Sequence, residues 1–199
     1  MAAAACMLAG AARPASAEWQ LKPFIAGTYG GDTTFTFVRQ SDNYGHPGFG
    51  VSGLLLGEIF GVEADFGHTP NFFQGAEAPL VLDSGVTTVT GNVVVAMPRK
   101  LAQYTLRPYV VGGAGLMHIR IDSGPGFARE PLRTLSNLQA MDLGAGVTGF
   151  LTRHLGVSWD VRYFRSIDRT QEQGSSFTSE HLSFWRFHMA LAIRFGNVR

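Results

Sequence analysis

Residues 185–195 read Trp-Arg-Phe-His-Met-Ala-Leu-Ala-Ile-Arg-Phe. Every second residue from Trp185 is apolar: Phe187, Met189, Leu191, Ile193 and Phe195. The intervening set is Arg186, His188, Ala190, Ala192 and Arg194. Side chains of a β-strand alternate between faces, so this stretch predicts one wholly apolar face and one small or cationic face. Its length suits a tilted strand crossing a bilayer. Aromatic residues stand at both ends of the apolar face, where a membrane strand meets the headgroups. A half-buried strand of a soluble sandwich alternates in the same way, so the rest of the chain has to decide.

The chain has 199 residues, enough for one domain with a sizeable interior. Only 16% are charged, 25 are glycine, and Lys+Arg against Asp+Glu stand at 16 to 15. That balance argues against a nucleic-acid partner, which selects a basic excess. Beyond residue 17 no apolar run is long enough for a transmembrane helix. Residues 1–17 read as a signal peptide: an apolar run over 2–12, then Ala15-Ser16-Ala17 as the cleavage site before Glu18. The barrel domain is then expected over 18–199. Cys6, the single cysteine, falls in the leader, so no disulfide or thiolate metal site is expected.

Seven further alternating stretches precede the one above. They are predicted at about 19–30, 48–56, 61–68, 86–97, 107–120, 138–150 and 154–166. In the fifth, Tyr109, Val111, Met117 and Ile119 oppose Gly112, Ala114, His118 and Arg120. The polar stretches 31–46, 69–85, 121–137 and 167–182 are long, and the connections between them are short or medium. Long and short connections therefore alternate. This predicts an all-β fold: an eight-stranded antiparallel up-and-down transmembrane β-barrel with short periplasmic turns and long extracellular loops.

A soluble eight-stranded barrel hides its apolar face and a membrane barrel displays it. Three features favour display. The apolar face ends in aromatics in the last two strands. The opposite face is small, with Ala190, Ala192, Gly144, Gly146 and Ala114. Charges of both signs share that face: Lys22, Glu63, Asp65, Asp142, Asp160, Arg162, Arg186, His188 and Arg194. Inside a narrow barrel they are expected to form a lumenal polar network. His118 is expected on the same lumenal side. Trp19, Tyr29, Tyr109, Trp159, Tyr163, Trp185 and Phe195 are expected as membrane-interface aromatics.

The signal, the eight strands, Gly61-Val-Glu-Ala-Asp-Phe66 and Arg107-Pro-Tyr-Val-Val-Gly-Gly-Ala-Gly115 together resemble the small outer-membrane β-barrels of Gram-negative bacteria, the outer-membrane protein A and X-like group. The resemblance implies residence in the outer membrane as a monomer. It also implies contact with outer-membrane lipids and lipopolysaccharide, and recognition by the barrel-insertion machinery. That machinery reads a terminal aromatic residue in the family; here Phe195 is followed by Gly196-Asn197-Val198-Arg199. The expected role is structural, surface-binding or a small pore, without catalysis or cofactor.

Two other functions stay open at this point. His181-Leu182-Ser183 resembles the His-x-Ser pair of outer-membrane lipid A deacylases, which would make the chain a lipid-modifying hydrolase. The likeness ends at the pair, because Phe184-Trp185 follow where those enzymes carry Asn-Ala. A soluble periplasmic barrel holding an apolar ligand is the other. The six histidines are scattered without metal-site spacing. Phe35, Phe37, Phe72, Phe73 and Phe127 enrich the polar stretches in aromatic side chains.

Overall fold

The computed structural model describes residues 17–33, 45–72, 81–99, 101, 106–123, 133–167 and 182–195. Eight strands run β1 Glu18–Thr33, β2 His46–Leu56, β3 Phe60–Pro70, β4 Val81–Ala96, β5 Leu106–Ser123, β6 Arg133–Phe150, β7 Leu155–Ser166 and β8 Leu182–Phe195. Each pairs antiparallel with its neighbours in chain order, and β1 pairs with β8 to close a barrel. Among the described residues there is no helix. Closure satisfies the backbone of every strand on both sides, the condition for a sheet to lie in hydrocarbon.

Several strands outrun the sequence expectation at one end. β4 begins at Val81, β5 continues to Ser123 and β6 begins at Arg133. Backbone pairing needs no apolar side chain, so the ladder continues past the point where alternation fades. The connections there are correspondingly shorter than expected. At the opposite end Gly57 N–H donates to Phe60 O at 2.8 Å, and Leu151 N–H donates to Leu155 O at 3.0 Å, closing tight turns.

Register gives the barrel's shear. Following partners from Trp19 leads through Leu55, Val62, Val93, Gly112, Leu143, Tyr163 and Trp185 back to β1 at Tyr29. The walk returns ten residues above its start (29 − 19), so the strands are strongly tilted. Two irregularities sit at the closing seam. Gly30, with φ 54°, forms a bulge where the β1–β8 register shifts between Tyr29 and Gly31. Pro23, which has no N–H to give, lies in a gap in that ladder between Leu21 and Phe24.

The alternation sorts side chains between the two walls. Outward stand Ile25, Val62, Val89, Val93, Leu143 and Leu191, all exposed. Inward stand Lys22, Glu63, Asp65, Asp142, Arg162 and Arg186, all buried. The polar face is thus the inner face. A water-soluble barrel is built the other way round.

β5 is the exception and corrects the expectation. Tyr109, Val111, Met117 and Ile119 point inward and are buried, whereas Ala114 and His118 are on the outer wall. Both faces of β5 are apolar, since Leu106, Val110 and Leu116 stand exposed outside. Alternation therefore carried no information on which face was which.

Candidate functional site: a lumen closed by side chains

The lumen is layered. An apolar layer at the loop end comprises Val86, Met117, Ile119, Ala140, Phe164, Leu182 and Phe184, with Phe72 and Leu138 packed against it. Phe164 and Phe184 stack at 5.2 Å between centroids. A second apolar layer nearer the turns comprises Leu54, Leu56, Val94, Ala96, Tyr109 and Val111. The charged layer lies between them. β5 supplies both apolar layers and passes the charged one with Gly113 and Gly115 on its inner face.

The charged layer spans the barrel along its diameters. In an eight-stranded barrel the strand opposite βn is four away, so β3 faces β7 and β4 faces β8. Arg162 Nη1 on β7 reaches Glu63 Oε1 on β3 at 2.7 Å. The same guanidinium donates through Nε to Asp160 Oδ1 at 3.0 Å and lies 3.9 Å from both Asp65 and Asp142. Arg186 on β8 donates Nη1 to Thr88 Oγ1 on β4 at 2.8 Å and pairs with Asp65 on β3. Its guanidinium also lies over the rings of Phe164 and Phe24, at 4.3 Å and 5.3 Å. A third diameter joins β1 to β5, where the Lys22 ammonium sits 4.9 Å over the Tyr109 ring.

His188 links these spans to the wall. Its Nδ1 lies 3.0 Å from Asp160 Oδ1 while its ring stacks on Phe24 at 4.2 Å. Tyr109 donates its hydroxyl to Asp160 Oδ2 at 2.6 Å, and Ser158 Oγ lies 3.1 Å from the same hydroxyl. Asn92 Nδ2 donates to Glu63 at 3.3 Å. The layer holds the carboxylates Glu63, Asp65, Asp142 and Asp160 against the cations Lys22, Arg162 and Arg186, with His188 beside them. Opposite charges at such spacing compensate the desolvation that any one would suffer alone. Room for the arginine side chains comes from missing side chains: a Cβ at Gly67 would collide with Arg186 Nη1, and one at Gly144 would meet Arg162 Cγ at 2.7 Å.

Of the residues expected in the network, Arg194 is placed elsewhere. It belongs to a rim at the turn end, where Glu18 pairs with both Arg194 and Arg99. Arg194 lies 3.4 Å over the Phe150 ring. Arg107 donates to the carbonyls of Met97, Gly57 and Glu58 at 2.9, 3.2 and 2.5 Å, tying two turns together. Glu18 and Arg107 stand at strand ends and Arg99 in a turn, away from the central alternation that a sequence reading follows. Tyr109 is corrected from interface aromatic to lumen residue, for the reason given for β5. His118 is likewise corrected from lumen to outer wall, where its Nδ1 contacts Asn137 Oδ1 at 2.7 Å.

The remaining aromatics are outside. Trp19 pairs with Phe195 at the turn end, and both are exposed. Tyr29 pairs with Trp185 at the loop end, and Tyr163 lies 5.0 Å from Trp185. Trp159, opposite Met189, lies within the apolar band rather than at its edge, since two outward residues of β7 precede it. His181 lies outside the described residues, so the His181–Ser183 pair cannot be placed; Ser183 itself is buried. Of the phenylalanines singled out in the polar stretches, Phe35, Phe37, Phe73 and Phe127 also lie outside them. Among the described residues no group of His, Cys, Asp and Glu is arranged to hold a metal.

The sequence matches the profile of the outer membrane protein β-barrel domain over residues 2–195. The chain belongs to this family. As a member it is an integral outer-membrane β-barrel protein, which explains the apolar outer wall. Solved structures share the fold at low identity. Neisserial surface protein A is 14% identical with a TM-score of 0.59, covering 89% of this chain and 97% of that one. A major outer membrane protein from Thermus thermophilus is 12% identical with a TM-score of 0.58, covering 90% and 100%. The attachment invasion locus protein Ail of Yersinia pestis, solved with the heparin analogue sucrose octasulfate, is 14% identical with a TM-score of 0.54, covering 90% and 99%. No curated protein matches the chain in sequence.

Proposed function

We propose that this barrel is a closed, non-catalytic outer-membrane protein that acts through its surfaces, as a structural or surface-binding element, rather than as a diffusion channel. The observation that carries this reading is the set of diametric contacts, Arg162–Glu63, Arg186–Thr88 and Lys22–Tyr109, held between two apolar layers. An eight-stranded barrel is just wide enough for its own side chains to fill. Moving ions along this axis requires both apolar layers and the charged layer to part together.

Single-channel recording in planar bilayers tests the reading. The wild-type protein is expected to give no sustained conductance, and a steady ohmic pore would overturn closure. The catalytic alternative is tested separately: lipid A from cells making the wild type and Ser183→Ala is expected to have the same mass spectrum. Cleavage after Ala17 is part of the same reading, supported by β1 beginning at Glu18. Intact-mass measurement of the membrane-extracted protein is expected to find Glu18 at the N-terminus. A monomer in mild detergent is expected by light scattering.

A further inference from the structure

β5 crosses the charged layer without a side chain, since Gly113 and Gly115 are its inner residues there. Their register partners bound a recess in the lumen wall. On one side stand Asn92 and Thr90 of β4, and on the other Asp142 and Ala140 of β6. A Cβ at Gly113 would collide with Asn92 Oδ1, so this oxygen lies where a side chain of Gly113 would begin. Directly opposed residues of an antiparallel pair hold their Cβ atoms about 4.5–5.5 Å apart. Asp142 opposes Gly113, so the Asn92 carbonyl and the Asp142 carboxylate come side by side over bare backbone.

Both groups are acceptors, and no described donor serves them. Asn92 Oδ1, Thr90 Oγ1 and both carboxylate oxygens of Asp142 have no hydrogen-bond partner, although the three residues are only 5%, 3% and 4% exposed. Turning the amide gives no relief. Asn92 Nδ2 already donates to Glu63 Oε1 at 3.3 Å, and the reverse orientation sets a carbonyl against that carboxylate. Arg162 Nη1 lies 2.7 Å from Glu63 but 3.9 Å from Asp142, beyond hydrogen-bond distance. A buried acceptor without a donor is destabilising, and more so when it is charged. The charge balance has the same sign. Glu63, Asp65, Asp142 and Asp160 face Lys22, Arg162 and Arg186, one positive charge short. His188 serves Asp160 through Nδ1 and leaves Nε2 unpartnered, the pattern of a neutral ring with an acceptor left over.

We propose that Asp142, Asn92 and Thr90 form a buried site for one hard monovalent cation of sodium size. The donors are a carboxylate, an amide carbonyl and a hydroxyl, an all-oxygen set that suits a hard ion rather than a transition metal. Asp142 is the single charged member, so the site is not a cluster of acids and imidazoles. One positive charge above Gly113 satisfies the facing acceptors and balances the layer, whereas a divalent ion leaves it in excess. The two apolar layers shield the ion above and below. Its ligands belong to the barrel wall, so the site stands whether or not the lumen conducts.

The test uses the full mature protein folded in non-ionic detergent micelles at fixed pH. Urea unfolding is compared in sodium chloride and in choline chloride of equal ionic strength, choline being a bulky, soft cation. Wild type is expected to unfold at a higher urea midpoint in sodium, with a rise that saturates. At sodium ten times the dissociation constant, the folding constant is expected to be about elevenfold greater than in choline. Asp142→Asn removes the charge and turns an amide donor toward Asn92, so its midpoint is expected to be the same in both salts. Glu58→Gln, at an exposed turn, is expected to keep the wild-type difference. Heat-modifiable gel migration reports whether each variant is folded. If Asp142→Asn fails to fold, Asn92→Leu takes its place with the same expectation, and the salt comparison on wild type decides by itself. Equal wild-type midpoints in the two salts would overturn the site. So would a sodium response that survives Asp142→Asn, or a midpoint that answers to pH but not to sodium, which puts a proton between the acceptors instead.

Discussion

The inner and outer walls of this barrel are made by the same stretches of backbone, yet they obey opposite rules. On β7, Asp160 and Arg162 are buried against partners on other strands, while Trp159 and Val161, one position away, stand exposed. An inner side chain is specified by what it meets across the lumen. An outer one is specified by the solvent it touches, which is hydrocarbon for most of its height. Inner positions are therefore expected to be sensitive to single losses, and outer positions sensitive mainly to the insertion of charge.

The largest effect is expected from Arg162→Ala. It leaves Glu63 and Asp160 without their shared cation, and it removes the guanidinium that also lies 3.9 Å from Asp65 and Asp142. Breaking a buried pair on one side costs about 3–5 kcal/mol, to be read as a lower urea midpoint for unfolding from lipid bilayers. A wild-type midpoint in that variant would remove the diametric span from the account of stability.

Next comes a charge placed on the outer wall. Val93→Arg, at the exposed centre of β4, is expected to cost about 2–4 kcal/mol. Thr87→Arg, on the same face of the same strand but at the loop end, is expected to cost about 0–1 kcal/mol. Equal costs would show that depth does not govern the outer wall.

The smallest contrast uses one atom. Tyr109→Phe removes the hydroxyl that donates to buried Asp160 and is expected to cost about 1–3 kcal/mol. Tyr163→Phe on the outer wall is expected to change the midpoint by less than about 0.5 kcal/mol. Parity between the two would place Tyr109 outside after all.

The fold was legible because a membrane barrel writes a period of two into every strand, and Trp185 to Phe195 shows that period without interruption. Strand number and the alternation of long and short connections follow from the same pattern. Lys22, Glu63, Asp65, Asp142, Asp160, Arg162, Arg186 and His188 announce themselves as polar residues in phase with glycine and alanine, and all of them line the lumen. Tyr109 and His118 do not, because β5 is apolar on both faces and its phase is set only by its neighbours.

Periodicity along a strand is local and is encoded residue by residue, so the sequence alone determined the strands, their order and, in every strand but β5, which face is the polar one. Which residues meet is not local. That Arg162 of β7 reaches Glu63 of β3, and that Arg194 closes on Glu18 rather than on the central acids, both depend on the ten-residue shear. Shear is a property of the closed sheet. It becomes defined only when β8 finds β1, and residues 185–195 acquire their partners at that step.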